Sequence, residues 1–244
     1  MNNWELIELE NCESTNNLAR QLKTEGKIAD RTAIMSGFQS KGRGQGTNSW
    51  HSSANENLLC TLYIKTGLPV DRHFFLTIMV SLALSDTLKE IEIDSKIKWP
   101  NDIYAGNLKL AGILIENSLI GPTIADTIIG IGLNVNEKEF PRWLPNPVSI
   151  YQLTQKRFNV QLLLEKLTAH INNRFSELKN GHEEELFGSY TQKLFKLNTW
   201  SLFEAEGQAF NGQIHGVLPD GKLIVECQDG QLKKFLFGEV KYLL

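Results

Sequence analysis

The chain has 244 residues, 41% of them hydrophobic and 22% charged, the balance of a soluble globular protein with one sizeable core and room for a small accessory domain. A formal net charge of −3 provides no electrostatic footprint for DNA or RNA, and no apolar run approaches the ~20 residues of a membrane span. Cys12, Cys60 and Cys227 form neither a disulfide framework nor a CxxC metal site, and Met1–Glu5 lacks the basic and apolar regions of a signal peptide, so a reducing cytoplasmic setting is expected.

In chain order, Ser14 and Thr15 precede Leu18, Ala19 and Leu22, with Gly26 as a stop, which predicts a short helix capped by one of the two hydroxyl residues. Ala33–Phe38 reads as a strand. Residues 39–56 are polar and carry Gly42, Gly44 and Gly46, so they read as a loop before a second strand at Asn57–Ile64. Phe75, Ile78, Met79 and Leu82 recur at helical spacing and predict a helix over His73–Glu90. Lys96–Trp99, Leu110–Glu116 and Thr127–Val135 read as further strands. Pro141, Pro145 and Pro147 then break the chain before an amphipathic helix marked by Leu163, Leu167, Ile171, Phe175 and Leu178. From about residue 196 the composition shifts to short strands with turns at Asp220-Gly221 and Asp229-Gly230, which suggests a small barrel. The expected division is therefore a catalytic-size domain over 1–195 and a small β domain over 196–244.

The densest cluster of chemistry is Lys98-Trp99-Pro100-Asn101-Asp102, followed by Lys109 and Gly112. Lysines beside apolar strands are costly unless an anion answers them, so this cluster looks built for an anionic ligand. Lys109 is either a solvated strand-end charge or a fixed cation between two reacting anions. Asp102 could hold a metal ion, orient Lys109, or accept a hydrogen bond from an incoming amine. In Gln39–Gly46 the glycines allow backbone N–H groups to converge on phosphate oxygens, and Arg43 adds a bidentate charged donor. A solvated surface loop is the competing reading, and no GxxxxGK[ST] pattern occurs there. His51, His73, His170, His182 and His215 are scattered without metal-ligand spacing, and no G-x-S-x-G or Cys/His nucleophile arrangement appears. No metal site of the protein's own is expected.

These motifs together resemble the biotin protein ligases. Lys98–Asp102 with Lys109 matches that family's Lys-Trp-Pro-Asn-Asp signature and its downstream lysine. Gly42-Arg43-Gly44 matches its upstream loop, and Gly130–Asn136 gives a third match in the same order. The resemblance is strong over residues 4–140 and weak in the tail, where Gly238-Glu239-Val240 looks like a last strand. It implies an α/β fold of α+β type, with a mixed-sheet, class II synthetase-like catalytic domain and an SH3-like C-terminal β-barrel.

The resemblance also implies roles. Ser14, Thr15 and Asn16 correspond to a Ser-Thr-Asn motif that binds the biotin ureido ring, whose one acceptor oxygen and two N–H donors suit hydroxyl and amide groups. Gln39 corresponds to a glutamine near the ligand carboxylate, and Gly42, Arg43, Gly44 and Gln45 to the loop that closes over biotin and the adenylate, with Arg43 contacting the nucleotide as well as biotin. Gln45 stands where many relatives have a second arginine, which removes a charge there. Lys109 corresponds to the lysine that contacts both biotin and the adenylate, Gly112 to a position where bulk would obstruct the ligand, and Gly112–Glu116 to a Gly-Ile-Leu-(Ile/Val)-Glu strand that lines the nucleotide side. Trp50, Lys98, Asn101, Ile113, Asn134 and Asn136 fall on the nucleotide side. For Trp50 a core anchor, and for the two asparagines plain turn chemistry, are the competing readings. Lys109, Arg43 and Asp102 are the expected catalytic group.

The implied activity is ATP- and Mg²⁺-dependent formation of biotinyl-5′-AMP, followed by transfer to a lysine of a biotin carboxyl carrier protein such as that of acetyl-CoA carboxylase. The motif starts too early for an N-terminal DNA-binding repressor domain, so no DNA partner is expected. The resemblance allows a homodimer through sheet-edge pairing. A lipoate–protein ligase shares the fold and adenylation chemistry, but its Arg-Arg-x-Ser-Gly-Gly-Gly type loop is absent. A biotin sensor without turnover is the non-enzymatic alternative.

Overall fold

The computed structural model describes residues 3–243. Among these, a mixed sheet of seven strands follows the order β1-β2-β3-β7-β6-β5-β4. Its strands are β1 (Glu5–Leu9), β2 (Thr32–Ser36), β3 (Leu58–Pro69), β4 (Lys96–Lys98), β5 (Asp102–Ala105), β6 (Leu108–Ile120) and β7 (Thr123–Leu133). Only β1 and β2 are parallel; α1 (Thr15–Thr24) makes the crossover between them.

Alternation along the strands gives the sheet two different faces. Ala33, Met35, Cys60, Leu62, Ile129 and Ile131 point into the main core, covered by α2 (His73–Lys89), α4 (Val160–Lys179) and α5 (Glu183–Gln192). Ile34, Tyr63 and Ile128 point the other way and pack with Ala19 of α1. Lys23, near the end of α1, is paired with Asp126 of β7 at 2.6 Å, which fixes the helix over that face. The helix covers only part of this face, and the rest is open for a ligand.

Several expected elements differ in extent. β3 runs on to Pro69, and β6 and β7 extend into a hairpin reaching Ile120 and Thr123, with a register shift at Ser118/Leu119. This hairpin arm mixes Asn117, Ser118 and Asp126 with the exposed Leu119 and Ile120, so it lacks the continuous apolar run that marks the rest of the strands. The short elements β1, β5, α3 (Ile150–Thr154) and α5 were not among the sequence expectations. β1 is an edge strand bearing exposed glutamates, and α5 opens on Glu183, Glu184 and Glu185, so neither stands out by hydrophobicity.

The C-terminal strands are β8 (Trp200–Ala205), β9 (Gln208–Val217), β10 (Leu223–Cys227), β11 (Leu232–Phe235) and β12 (Val240–Tyr242). They form an antiparallel sheet in the order β11-β10-β9-β8-β12. Among the described residues its outer strands β11 and β12 do not pair with each other, so the small C-terminal β unit expected is present as a second antiparallel sheet without full barrel closure. Its inward residues Phe203, Ile214, Leu223 and Val225 belong to the same apolar core as Phe74, Tyr190 and Leu194. The two sheets are thus joined by packing as well as by the chain.

Candidate active site

The open part of the α1 face holds a cavity of about 710 Å³, in the range of small-molecule sites. It crosses β3, β7, β6, β5 and β4 in turn, a span of about 19 Å at ordinary inter-strand spacing. Glycines make this crossing possible. A Cβ at Gly130 would overlap the Asn16 carboxamide, and one at Gly132 would overlap the Trp50 indole. A Cβ at Gly112 would lie 2.9 Å from the same indole. The three glycines therefore let side chains from α1 and the 39–56 loop lie directly on the strand backbones.

At the β3–β7 end the cavity is polar and uncharged. Ser14, Thr15 and Asn16 all line it. Ser14 occupies the N-cap position of α1 but makes no side-chain capping bond. Gln39 does that work instead: its Oε1 accepts from the Thr15 backbone N–H at 2.7 Å and from the Thr15 hydroxyl at 3.0 Å. The Thr61 hydroxyl lies within hydrogen-bond distance of Thr15 Oγ1 (2.7 Å) and of Asn16 Oδ1 (2.6 Å). Asn16 Nδ2 donates to Glu116 at 2.9 Å, so its carboxamide is oriented from both sides. Thr61 and the lining residue Cys60 escaped the motif reading because they are isolated residues on strands; Glu116, expected at the end of a strand on the nucleotide side, instead meets Asn16 at the polar end.

The middle of the cavity holds the ion pair Lys109–Asp102 at 2.7 Å. Lys109 also lies 5.7 Å from the centre of the Trp50 ring, within cation–π reach. Of the three roles open to Asp102, orienting Lys109 is the one matched by a contact. The indole N–H of Trp50 and the Gln45 amide oxygen are buried here without hydrogen-bond partners, a donor and an acceptor suited to a ligand's polar atoms.

At the β4 end, Lys98 is held against two rings, 4.6 Å from the centre of Tyr242 and 5.4 Å from that of Tyr104. Burial pulls its pKa below the usual lysine range; Asp102 opposes that shift and Lys109 reinforces it. Phe237, Gly238, Val240 and Lys241 of the tail also line this end. Trp99 Nε1 donates to the Gly221 carbonyl at 2.8 Å and links the signature segment to the C-terminal sheet. The Trp99–Pro100 peptide is cis.

Arg43, Gly44, Gln45 and Trp50 of the loop line the cavity, as do Asn101, Ile113 and Asn134. Two of these asparagines spend their amides on the backbone. Asn101 Nδ2 donates to Ile113 O at 2.6 Å, and Asn134 Nδ2 donates to Val148 O at 3.0 Å. Gly42 and Asn136 are not lining residues. Gly42 is needed where it stands, because its Cβ would come 2.5 Å from the Trp50 carbonyl oxygen. Asn136 exchanges two hydrogen bonds of 2.9 Å with the Phe158 backbone, 22 residues on, and so ties the end of β7 to the segment before α4.

The cavity is chemically suited to joining two anions. It gathers Arg43, Lys98 and Lys109, and Asp102 is the one carboxylate among its described lining residues. Cys60 is no nucleophile, since burial pushes its thiol up to about 12.

Comparison with known proteins gives the same direction. The model of the biotin/lipoate A/B protein ligase family matches residues 9–134. The biotin protein ligase of Aquifex aeolicus, solved in complex with biotin and ATP, superposes with a TM-score of 0.81 at 27% identity, covering 98% of this chain and 99% of that one. The bifunctional ligase/repressor BirA of Bacillus subtilis (strain 168) is 24% identical over 232 residues, 93% of this chain and 71% of that protein. The biotin–[acetyl-CoA-carboxylase] ligase of Mycobacterium tuberculosis (strain ATCC 25618 / H37Rv) is 28% identical over 117 residues, 46% of this chain and 42% of that protein. With a match across more than half its length, the chain belongs to the biotin/lipoate A/B protein ligase family.

Proposed function

We infer that this chain is a biotin–protein ligase, which activates biotin with ATP and transfers it to a lysine of a carrier protein. The observation that carries the reading is the order of groups along the cavity. Uncharged donors and acceptors lie over β3 and β7, a lysine–aspartate pair over β6 and β5, and a second lysine over β4. Biotin has the same order, a ureido head followed by an aliphatic chain and a carboxylate. Seated head-first at Asn16, it brings its carboxylate toward Lys109 and leaves the Lys98 end for the nucleotide phosphates.

In the first step a biotin carboxylate oxygen attacks the α-phosphorus of ATP, and the bond to pyrophosphate breaks. Lys109 reduces the repulsion between the two anions and stabilises charge on the phosphoryl oxygens. Arg43 supplies further positive charge from the loop, and Lys98 faces the leaving pyrophosphate. Magnesium arrives with ATP as part of the substrate, and Asp102 is the one carboxylate the described lining offers it. In the second step the carrier lysine amine attacks the acyl carbon, AMP leaves, and the amine proton is lost. Loop 39–56 and Trp50 shield the mixed anhydride from water.

The polar head-end also separates biotin from lipoate. A dithiolane ring would leave the lining residues Ser14, Thr15 and Asn16 without ligand hydrogen bonds, and sites built around hydrogen bonds reject such analogues strongly. The carrier is proposed to be the biotin carboxyl carrier domain of acetyl-CoA carboxylase or a related carboxylase. The chain is proposed to act in the cytoplasm, a setting consistent with three free cysteines. No described helix is long and apolar enough to cross a membrane. We also propose the division into units 1–195 and 196–244, supported by the change of sheet between Leu194, bridged to β4, and Leu197, bridged to β9.

The test is a transfer assay with Mg²⁺-ATP and a carrier domain, offering biotin and lipoate separately, with mass spectrometry of the acceptor. Biotin attached to one lysine supports the reading. Lipoate attachment, or binding of biotin without any biotinyl-AMP, would overturn it in favour of a lipoate ligase or a sensor.

A further inference from the structure

Glu116 lies outside the cavity lining, yet it touches two of the parts that shape the cavity. It is on the same face of β6 as Gly112, and its side chain is three-quarters buried, with 25% of its surface exposed. One oxygen, Oε2, accepts from Asn16 Nδ2 at 2.9 Å. The other, Oε1, accepts from Arg43 at 3.1 Å and from Arg20 at 2.5 Å. Desolvation pushes its pKa up, but the Asn16 hydrogen bond and the charges of Arg43 and Arg20 together outweigh it and hold the carboxyl below the usual range.

An ionised carboxylate only accepts hydrogen bonds. Glu116 therefore dictates that the Asn16 amide group faces it, which turns the Asn16 oxygen toward Thr61. The same carboxylate holds the arginine of the Gly42-Arg43-Gly44 loop. Arg43 has a second anchor on α1, the Asn17 side-chain oxygen at 3.1 Å. The head-group pocket and the loop are thus tied to one another through a single side chain.

We propose that Glu116 is a positioning residue that couples occupancy of the head-group pocket to closure of the 39–56 loop. A ligand seated on Asn16 keeps Oε2 committed and holds Oε1 in place for Arg43, so the loop stays closed while biotin is bound. Coupling of this kind is reciprocal, so the closed loop also slows ligand release. The inference rests on the biotin-activation reading and extends it to a residue outside the pocket.

Glu116→Gln keeps the size but cannot accept from Asn16 and from both arginines at once. Its expected effect is a biotin Kd about tenfold weaker and release of preformed biotinyl-AMP about tenfold faster, with the Kd for ATP alone within about twofold. Asn17→Ala removes the second anchor of Arg43 and a longer bond from Arg20 at 3.4 Å, while leaving Glu116 and Asn16 in place. It should speed biotinyl-AMP release and weaken biotin binding in the same direction, each by less than Glu116→Gln does, because the Glu116 anchor of Arg43 remains. Calorimetry with biotin and with ATP, and stopped-flow release of biotinyl-AMP, read these quantities, with Tm measured for each variant. Glu116→Gln with wild-type biotin affinity and release would overturn the coupling. So would a variant with lowered Tm that weakens both ligands alike, because that pattern is loss of structure. Failure of the wild-type protein to bind biotin would instead overturn the reading of the cavity.

Discussion

Removing the Lys109 ammonium leaves Asp102 without its partner at 2.7 Å and takes away the cation between carboxylate and phosphate. Lys109→Ala is expected to slow biotinyl-AMP formation by about 10²–10³-fold, the cost of losing one transition-state donor. Pyrophosphate release in single turnover measures this directly. Lys109→Arg should recover little of the rate, because a planar fork replaces a compact point charge on a different stem. Glu116 carries the pH dependence at this scale. Its folded-state pKa lies below the ordinary value of 4.5, so its contribution to stability is fully present above that value and is lost as pH falls through the folded one. Urea midpoints of wild type and Glu116→Gln should converge at acid pH and separate toward neutrality. Lys109, Arg43 and Asp102 were legible in the sequence because they lie within motifs. Glu116 was legible as the end of a strand motif on the nucleotide side, but its own role was not, since that depends on Asn16 and Arg43, brought to it by α1 and the loop.

Strands β6 and β7 place their glycines where elements distant in sequence come to rest. Gly132→Ala would push a methyl into the Trp50 indole, and Gly130→Ala would push one into the Asn16 carboxamide. The two changes should therefore separate. Gly130→Ala is expected to raise KM for biotin at least tenfold, since it displaces the head-group ligand Asn16. Gly132→Ala is expected to alter Trp50 fluorescence and speed biotinyl-AMP release. Steady-state kinetics and emission spectra distinguish them. The glycines could be read as a motif, but the reason for them could not, because no periodicity connects Gly132 to Trp50. The same limit explains β5, a four-residue strand whose register is set by its neighbours. The long helices α2 and α4 were legible because their apolar residues repeat over several turns.

Across the whole molecule, the C-terminal sheet is part of the cavity as well as part of the core. Tyr242 supports Lys98, and Trp99 is bonded to Gly221 across 122 residues of sequence. Tyr242→Leu is expected to raise KM for ATP several-fold while leaving that for biotin near its wild-type value, and Tyr242→Phe should restore it, since the ring face holds the ammonium. Trp99→Phe loses the bond to the Gly221 carbonyl and should lower stability by about 1–3 kcal/mol, read from thermal unfolding. Turn spacing revealed the strands of this sheet but not their pairing order or their place against the site, because both depend on long-range contacts.

The most direct test of the account is biotin-dependent exchange of labelled pyrophosphate into ATP, measured on wild type and Lys109→Ala without any carrier protein. Exchange by wild type with biotin but not with lipoate, and its loss in Lys109→Ala, is the predicted result. Wild-type protein that shows no biotin-dependent exchange, or exchange undiminished in Lys109→Ala, would contradict the assignment of this cavity as the site where biotin is activated.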